Sequence, residues 1–378
     1  MTDLVVMSLE RWDEVWRRNQ HLMDGLLRSD PGLRVLFVEP PADPLHDIAS
    51  RRRPARGSRL SEIRGVAESR LWRFRPVKWL PRRLDAHADK RLTNDVMRAA
   101  RRLGMTQPLL WLNDPSATTL SMTTGWPTLY DMTDDWLAAA RPAAELRRVA
   151  AAEKHLLTHA AEIVACSAEL VRRKSPQRPP DREPIALIPN AVDIAAYRRA
   201  TIRPPDLPNG RVALYVGTLH QDRLDVGLCE ESARALAGES TLVLVGPNAL
   251  GTQVTERLRR SGVLLLGERS RDAVIAYLQH ADVLVVPHVV TPFTESLDPI
   301  KLYEYQAVGR PVVSTAVAGF RDASGVTTTR SRAVTFAAAI RNAWTGESPD
   351  HRAAATRVPD WSERVEAFRD VLMRLVTD

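Results

Sequence analysis

The chain has 378 residues, enough for two domains with separate cores. Hydrophobic residues make up 44% of it, yet no apolar run approaches the roughly 18 residues of a membrane-spanning helix, and residues 1–10 lack the basic start and cleavage site of a secretory leader, so a cytoplasmic chain is expected. The net charge is +7, and the two cysteines, Cys166 and Cys229, lack metal-ligand spacing, which excludes a disulfide scaffold or a zinc module.

Residues 3–7 read as a strand, 12–27 as a helix with Leu22, Leu26 and Leu27 on one apolar stripe, and 33–38 as a second strand ending at Glu39-Pro40-Pro41. The segment after the first strand is where open α/β sheets place ligands, and it carries Gln20 and His21. His21 is a candidate proton acceptor, with simple packing as its alternative role. Residues 45–83 read as irregular and basic: Arg51, Arg52, Arg53, Arg56, Arg59, Arg64, Arg70, Arg73, Arg75, Lys78, Arg82 and Arg83 interleave with Trp72, Phe74, Trp79 and Leu80. That mixture suits an anionic lipid surface or a lipid-phosphate acceptor, or a solvated arginine-rich face. Nucleic acid is not expected, because no zinc-finger, RNA-binding or helix-turn-helix signature accompanies the charge.

Residues 85–103 read as a helix, 108–112 as a strand, and 128–131 as another, followed by Met132-Thr133-Asp134-Asp135-Trp136. Asp131, Asp134 and Asp135, at and just past a strand end, suit acceptor ligation, a base, or caps for the helix expected at 137–158. A strand at 162–167 and a helix at 168–174 precede Ile188-Pro189-Asn190-Ala191-Val192-Asp193; Pro204, Pro205 and Pro208 then mark a linker at 199–209.

A strand at 212–217 leads through Gly217-Thr218-Leu219-His220-Gln221-Asp222-Arg223 into a helix from about residue 224. Backbone amides of such a turn cradle phosphate, and Arg223 adds a fixed charge; a plain tight turn at Gly217 is the alternative. Strands at 241–245 and 263–266, the second turning at Gly267-Glu268-Arg269, a helix at 271–279 and a strand at 281–287 continue the alternation. The block 298–314 then reads loop, helix, strand, with Gly309 as helix stop. Lys301 and Glu304, three apart, share a helical face. A helix N-terminus with Lys301 in its first turn suits phosphate, and Glu304 one turn on suits the hydroxyls of a ribose; a solvated ion pair is the alternative. Helices at 333–344 and 361–376 close the chain.

The 298–314 block, the Ile188–Asp193 run, the Gly217 turn and the Tyr130-Asp131-x-x-Asp134-Asp135-Trp136 block resemble the two-domain GT-B glycosyltransferases of the bacterial "group 1", family 4-like kind. The resemblance implies an α/β fold of two Rossmann-like domains facing across a cleft. It implies an acceptor domain at 1–198, a linker at 199–209, a nucleotide-sugar domain at 210–356, and a C-terminal helix at 357–378 crossing back to the first domain. The implied activity is sugar transfer from a nucleotide-diphosphate sugar to a glycan, a lipid-linked saccharide or a natural product. A sugar-nucleotide epimerase of the same fold and a non-catalytic sugar-nucleotide binding partner are the alternatives. The family's two glutamates, with seven residues between them, fall here on Ser296 and Glu304. The implied donor residues are Gly217, Thr218, His220, Gly267, Glu268, Ser296, Leu297, Asp298, Leu302 and Glu304. Arg223 and Lys301 would neutralise the diphosphate. Gln20, Asp134 and Asp135 fall on the acceptor side. His21 or Asp131 would be the base if configuration inverts; the leaving phosphate takes the proton if it is retained. Neither cofactor nor metal is expected, and attachment to the inner face of a membrane would be peripheral.

Overall fold

Short β-branched and leucine-rich runs alternate with amphipathic stretches, and the chain folds accordingly into parallel sheets flanked by helices. The computed structural model describes residues 2–13, 16–49, 54, 57–80, 82, 84–139, 141–346 and 358–377. Arg51, Arg52, Arg53, Arg56 and Arg83 lie outside them. Two compact units result: Met1–Pro189 with Ser362–Asp378, and Asn190–Trp361. Among the described residues, no helix is long and apolar enough to cross a membrane.

In unit 1 the elements run β1 (Thr2–Met7), α1 (Arg18–Ser29), β2 (Leu33–Val38), α2 (Pro44–Ala49), β3 (Ser58–Glu62), β4 (Leu71–Arg75), α3 (Ala88–Arg102), β5 (Leu109–Leu112), α4 (Thr118–Thr124), β6 (Thr128–Met132), α5 (Ala143–His159), β7 (Glu162–Ala165), α6 (Ala168–Lys174) and β8 (Ala186–Leu187). The sheet order is β3-β4-β2-β1-β5-β6-β7-β8, and among the described residues only the β3–β4 edge pair is antiparallel. The C-terminal helix, Trp361–Thr377, packs Phe368 on Trp111 of β5 with ring centroids 4.4 Å apart. Arg374 pairs with Glu162 of β7, and Gly25 of α1 lies so close to Val365 that a Cβ there would meet its Cγ2 at 2.3 Å.

Three readings of this unit change. Residues 45–83 are not irregular throughout: Leu71-Trp72-Arg73-Phe74-Arg75 is a strand in parallel register with β2, Leu36 opposite Trp72 and Val38 opposite Phe74. Trp72 and Phe74 pack against the unit's core, whereas Trp79 is 69% exposed. The helix expected at 12–27 begins at Arg18, where Gln20 takes the capping role: its Oε1 accepts from the Arg17 N–H at 3.1 Å. The helix expected at 137–158 begins at Ala143 because Pro142 stands just before it and disfavours helical geometry at Arg141.

Unit 2 runs α7 (Ile194–Arg198), β9 (Arg211–Val216), α8 (Val226–Ala235), β10 (Ser240–Val245), α9 (Thr252–Arg260), β11 (Leu264–Gly267), α10 (Arg271–His280), β12 (Val283–Val286), α11 (Ile300–Val308), β13 (Val312–Thr315), β14 (Val326–Thr329) and α12 (Ala333–Thr345). Its all-parallel sheet has the order β11-β10-β9-β12-β13-β14, the doubly wound Rossmann arrangement. The strand order reverses between β9 and β12. There β9 stays paired with β10 through Val216, but with β12 only as far as Leu214 opposite Leu284. The carboxyl ends therefore part where such sheets bind ligands. The proline-rich stretch 199–209 lies within this unit; Leu207 joins its core and Asp206 pairs with Arg269.

Candidate functional site

Unit 2 builds its site at that parting. The Gly217 N–H donates to the Val245 carbonyl and the Gly246 N–H to the Gly267 carbonyl, each at 2.8 Å, so three strand ends finish in adjoining glycines. A Cβ on Gly246 (φ +142°) would lie 2.2 Å from the Gly217 oxygen. One on Gly217 (φ +152°) would lie 2.4 Å from both Cε and Nζ of Lys301. This floor is free of side chains for its backbone angles and, at Gly246, for the close approach of the Gly217 backbone.

Helix α11 delivers Lys301 and Glu304, and Gly309 ends it in left-handed geometry (φ +67°). The Lys301 ammonium sits over the Tyr215 ring, 5.3 Å from its centroid, and has no hydrogen bond or ion pair with any described residue. Desolvation pulls it down to about 8; Glu304 opposes that shift and Arg223 adds to it. Glu304 is raised by desolvation, against the Tyr197 hydroxyl, Lys301 and Arg271. The Tyr197 hydroxyl donates to Glu304 Oε1 at 2.6 Å. Behind Lys301, His288 is buried with its Nε2 3.0 Å from the Tyr215 hydroxyl. Burial, then Lys301 and Arg223, hold the imidazole well below its usual range, hence neutral.

The structure thus gathers Gly217, Arg223, Lys301 and Glu304 as one electrostatic group, with Thr218 next to Gly217 and Gly267 at the adjoining strand end. The Arg223 guanidinium stacks over Phe293 at 5.4 Å. Other donor-side candidates are otherwise engaged. Asp298 accepts from Tyr303 at 2.6 Å and from the Asn190 N–H, and its carbonyl takes the Asn190 side chain at 2.6 Å. Ser296 is fully buried and donates to the Phe293 carbonyl at 2.8 Å. Leu297 is half-buried, Leu302 is a core residue, and His220 and Glu268 are exposed. Tyr197, Tyr215, Gly246 and His288 carried no sequence signal for a site, because their partners are remote in the chain.

Unit 1 has its own order reversal between β1 and β5, and a polar cluster sits there. Asn19 donates to Ser8 Oγ (3.0 Å), just past β1, and to Asn113 Oδ1 (2.8 Å), just past β5. Arg18 binds Asp131 through two bonds of 3.0 Å, and Asn113 adds a third at 3.1 Å. Asp131 is completely buried, and its oxygens anchor the first turn of α1. Gln20 is likewise spent on its cap and on the Arg11 carbonyl, 2.9 Å away. Asp135 joins a buried network with Lys174 (3.0 Å), Arg173 (2.9 Å) and, through Lys174, Glu153. Desolvation pushes its carboxyl up, but the two cations outweigh it and leave it below the usual value. Asp134 accepts from Thr133 at 3.0 Å. His21 is half-buried, edge-on to Trp16 at 5.3 Å. Beside Ser8 a cavity of about 100 Å³ opens, lined among others by Met7, Glu39, Leu92, Asp114 and Leu120.

Residues 210–345 match the family Glycosyl transferases group 1. A putative teichuronic acid biosynthesis glycosyltransferase, TuaH of Bacillus subtilis, is 26% identical over 54% of this chain, and the chain spans about half, 55%, of that relative. Among solved structures, sucrose-phosphate synthase from Thermosynechococcus elongatus superimposes with a TM-score of 0.72 at 17% identity, covering 100% of both chains. Anabaena HepE in complex with UDP does so with a TM-score of 0.64 at 14% identity, covering 99% of this chain and 100% of that one.

Proposed function

We propose, from the match of residues 210–345 to the family Glycosyl transferases group 1 and the fold shared with solved glycosyl-transferring synthases, that this protein transfers a sugar from a nucleotide-diphosphate sugar to an acceptor. One observation carries the reading: a desolvated ammonium, Lys301, with no hydrogen bond or ion pair to any described residue, beside a glycine floor at the strand ends. An unpaired cation in such a place is costly in the empty protein and suited to an anionic ligand. Lys301 and Arg223 meet the diphosphate as it leaves and stabilise the charge that develops on it. Glu304, one turn further along α11, accepts from the ribose hydroxyls. These two protein cations are the proposed neutralising charges, and the reading calls on no metal or cofactor.

Unit 1 takes the acceptor, and the cavity beside Ser8 is its proposed seat. With Asp131 committed to Arg18, an inverting reaction leaves His21 to accept the proton; in a retaining one the departing phosphate accepts it. The relative named for teichuronic acid biosynthesis puts a saccharide acceptor first for testing, and the UDP-bound neighbour puts UDP first among nucleotides. A cytoplasmic location with peripheral attachment to an anionic membrane completes the proposal. It rests on exposed Trp79, Leu80 and Leu84 beside a basic stretch. No observation favours the epimerase or the non-catalytic partner.

Calorimetry with UDP, GDP and ADP, followed by turnover of the matching nucleotide-sugars, tests the reading. One nucleotide should bind, and Glu304→Ala should weaken it by about 1.5–3 kcal/mol, ten- to a hundredfold. A folded wild-type protein that binds none of the three and turns over no donor overturns it.

A further inference from the structure

We propose that Tyr197 is a positioning residue of the donor site, holding the Glu304 carboxylate so that one oxygen is occupied and the other is presented to the ribose. This rests on the ribose reading of Glu304. Tyr197 lies on α7, whose N-terminal cap is Asp193; one oxygen of Asp193 accepts from the Ala196 N–H at 3.0 Å and the other pairs with Arg271 of α10 at 2.9 Å. The Tyr197 backbone is tied to α10 as well, through the Gln279 amide that donates to its carbonyl at 2.8 Å. Its ring is 4% exposed and belongs to the unit's core. The hydroxyl emerges from that core at one place, Glu304 Oε1, at 2.6 Å. A phenol fixed by its ring and by a backbone bond has almost no freedom, so it restrains a glutamate that would otherwise sample several rotamers.

Among the described residues, few charged groups face Glu304. Lys301 lies one turn earlier on α11 and Arg271 lies on α10, with Asp193 already on Arg271. Lys301 has no direct bond to Glu304, leaving the Tyr197 hydroxyl as the short, directional contact. That bond also holds down the carboxyl, which desolvation raises. Without it, Glu304 would take up a proton at a higher pH and lose its value as an acceptor for hydroxyls.

Tyr197→Phe removes the oxygen and keeps the ring, so the core is preserved. With the nucleotide among UDP, GDP and ADP that the wild type binds most tightly, the variant should bind about three- to tenfold more weakly at pH 7. The acid limb of its affinity-against-pH curve should move to higher pH while the melting temperature changes little. In a Glu304→Ala background, which leaves no acceptor for the hydroxyl, the same change should add nothing further. A Tyr197→Phe affinity and acid limb that superimpose on wild type, while Glu304→Ala alone weakens binding, overturn the positioning role. An equal loss from Tyr197→Phe in both backgrounds also overturns it. Unchanged binding in Glu304→Ala overturns instead the ribose reading on which the proposal stands.

Discussion

At the scale of single residues, Lys301 shows a conflict between stability and function. Its folded value of about 8 lies below the ordinary lysine value of 10.5, so the unfolded chain binds more protons between those two. Stability attributable to this group therefore rises with pH across that window, and below it the ammonium is a burden to the empty protein. Lys301→Met should stabilise the ligand-free protein at pH 7 by roughly 1–3 kcal/mol and remove this contribution between pH 8 and 10.5. The same variant should lose diphosphate affinity much more than nucleoside affinity. Melting at several pH values with paired calorimetry decides it: a variant less stable than wild type at pH 7 would contradict this account. Lys301 and Glu304 were legible in the sequence because their relation is local, three residues on one helix. Tyr197 was not, because its bond to Glu304 spans 107 residues, nor was His288, whose contact with Tyr215 spans 73.

At the scale of elements, α1 shows how a segment remote in the chain engages a candidate side chain. Asp131 at the end of a strand has the look of a base, but Arg18 from the first turn of α1 takes both its oxygens in a buried bidentate pair. Asp131→Ala leaves the Arg18 guanidinium buried without its anion and should cost about 3–5 kcal/mol, with Asp131→Asn costing less. Denaturant unfolding measures this. Turnover lost in Asp131→Asn at unchanged stability would restore Asp131 as a base. The strand β4 escaped the sequence reading for a related reason. Leu-Trp-Arg-Phe-Arg alternates only briefly amid arginines and prolines, and the strand that joins it to the rest of the sheet is β2, more than thirty positions earlier, as in the Val35 N–H to Arg70 carbonyl bond of 2.7 Å.

At the scale of the whole molecule, the basic stretch and the exposed Trp79, Leu80 and Leu84 make the proposed lipid face testable in full-length protein. The protein should sediment with phosphatidylglycerol vesicles at low salt, ignore neutral vesicles, and be released as salt rises. Replacing Arg51, Arg52, Arg53 and Arg56 by glutamine should weaken sedimentation and leave nucleotide binding intact. Wild-type protein that ignores anionic vesicles at low salt would end the lipid reading. By itself the sequence determined the strand–helix alternation of both units, the glycine stop at Gly309 and the Lys301–Glu304 pair, because each follows from residues a few positions apart. Only the tertiary structure decided that Gly246 must be bare to admit the Gly217 backbone, that Asp131 pairs with Arg18, that Trp72 and Phe74 turn to the core, and that Tyr197 reaches Glu304. Those outcomes depend on which distant segments the sheets bring side by side, and the free energy of a buried polar or charged group depends on that company more than on its own chemistry.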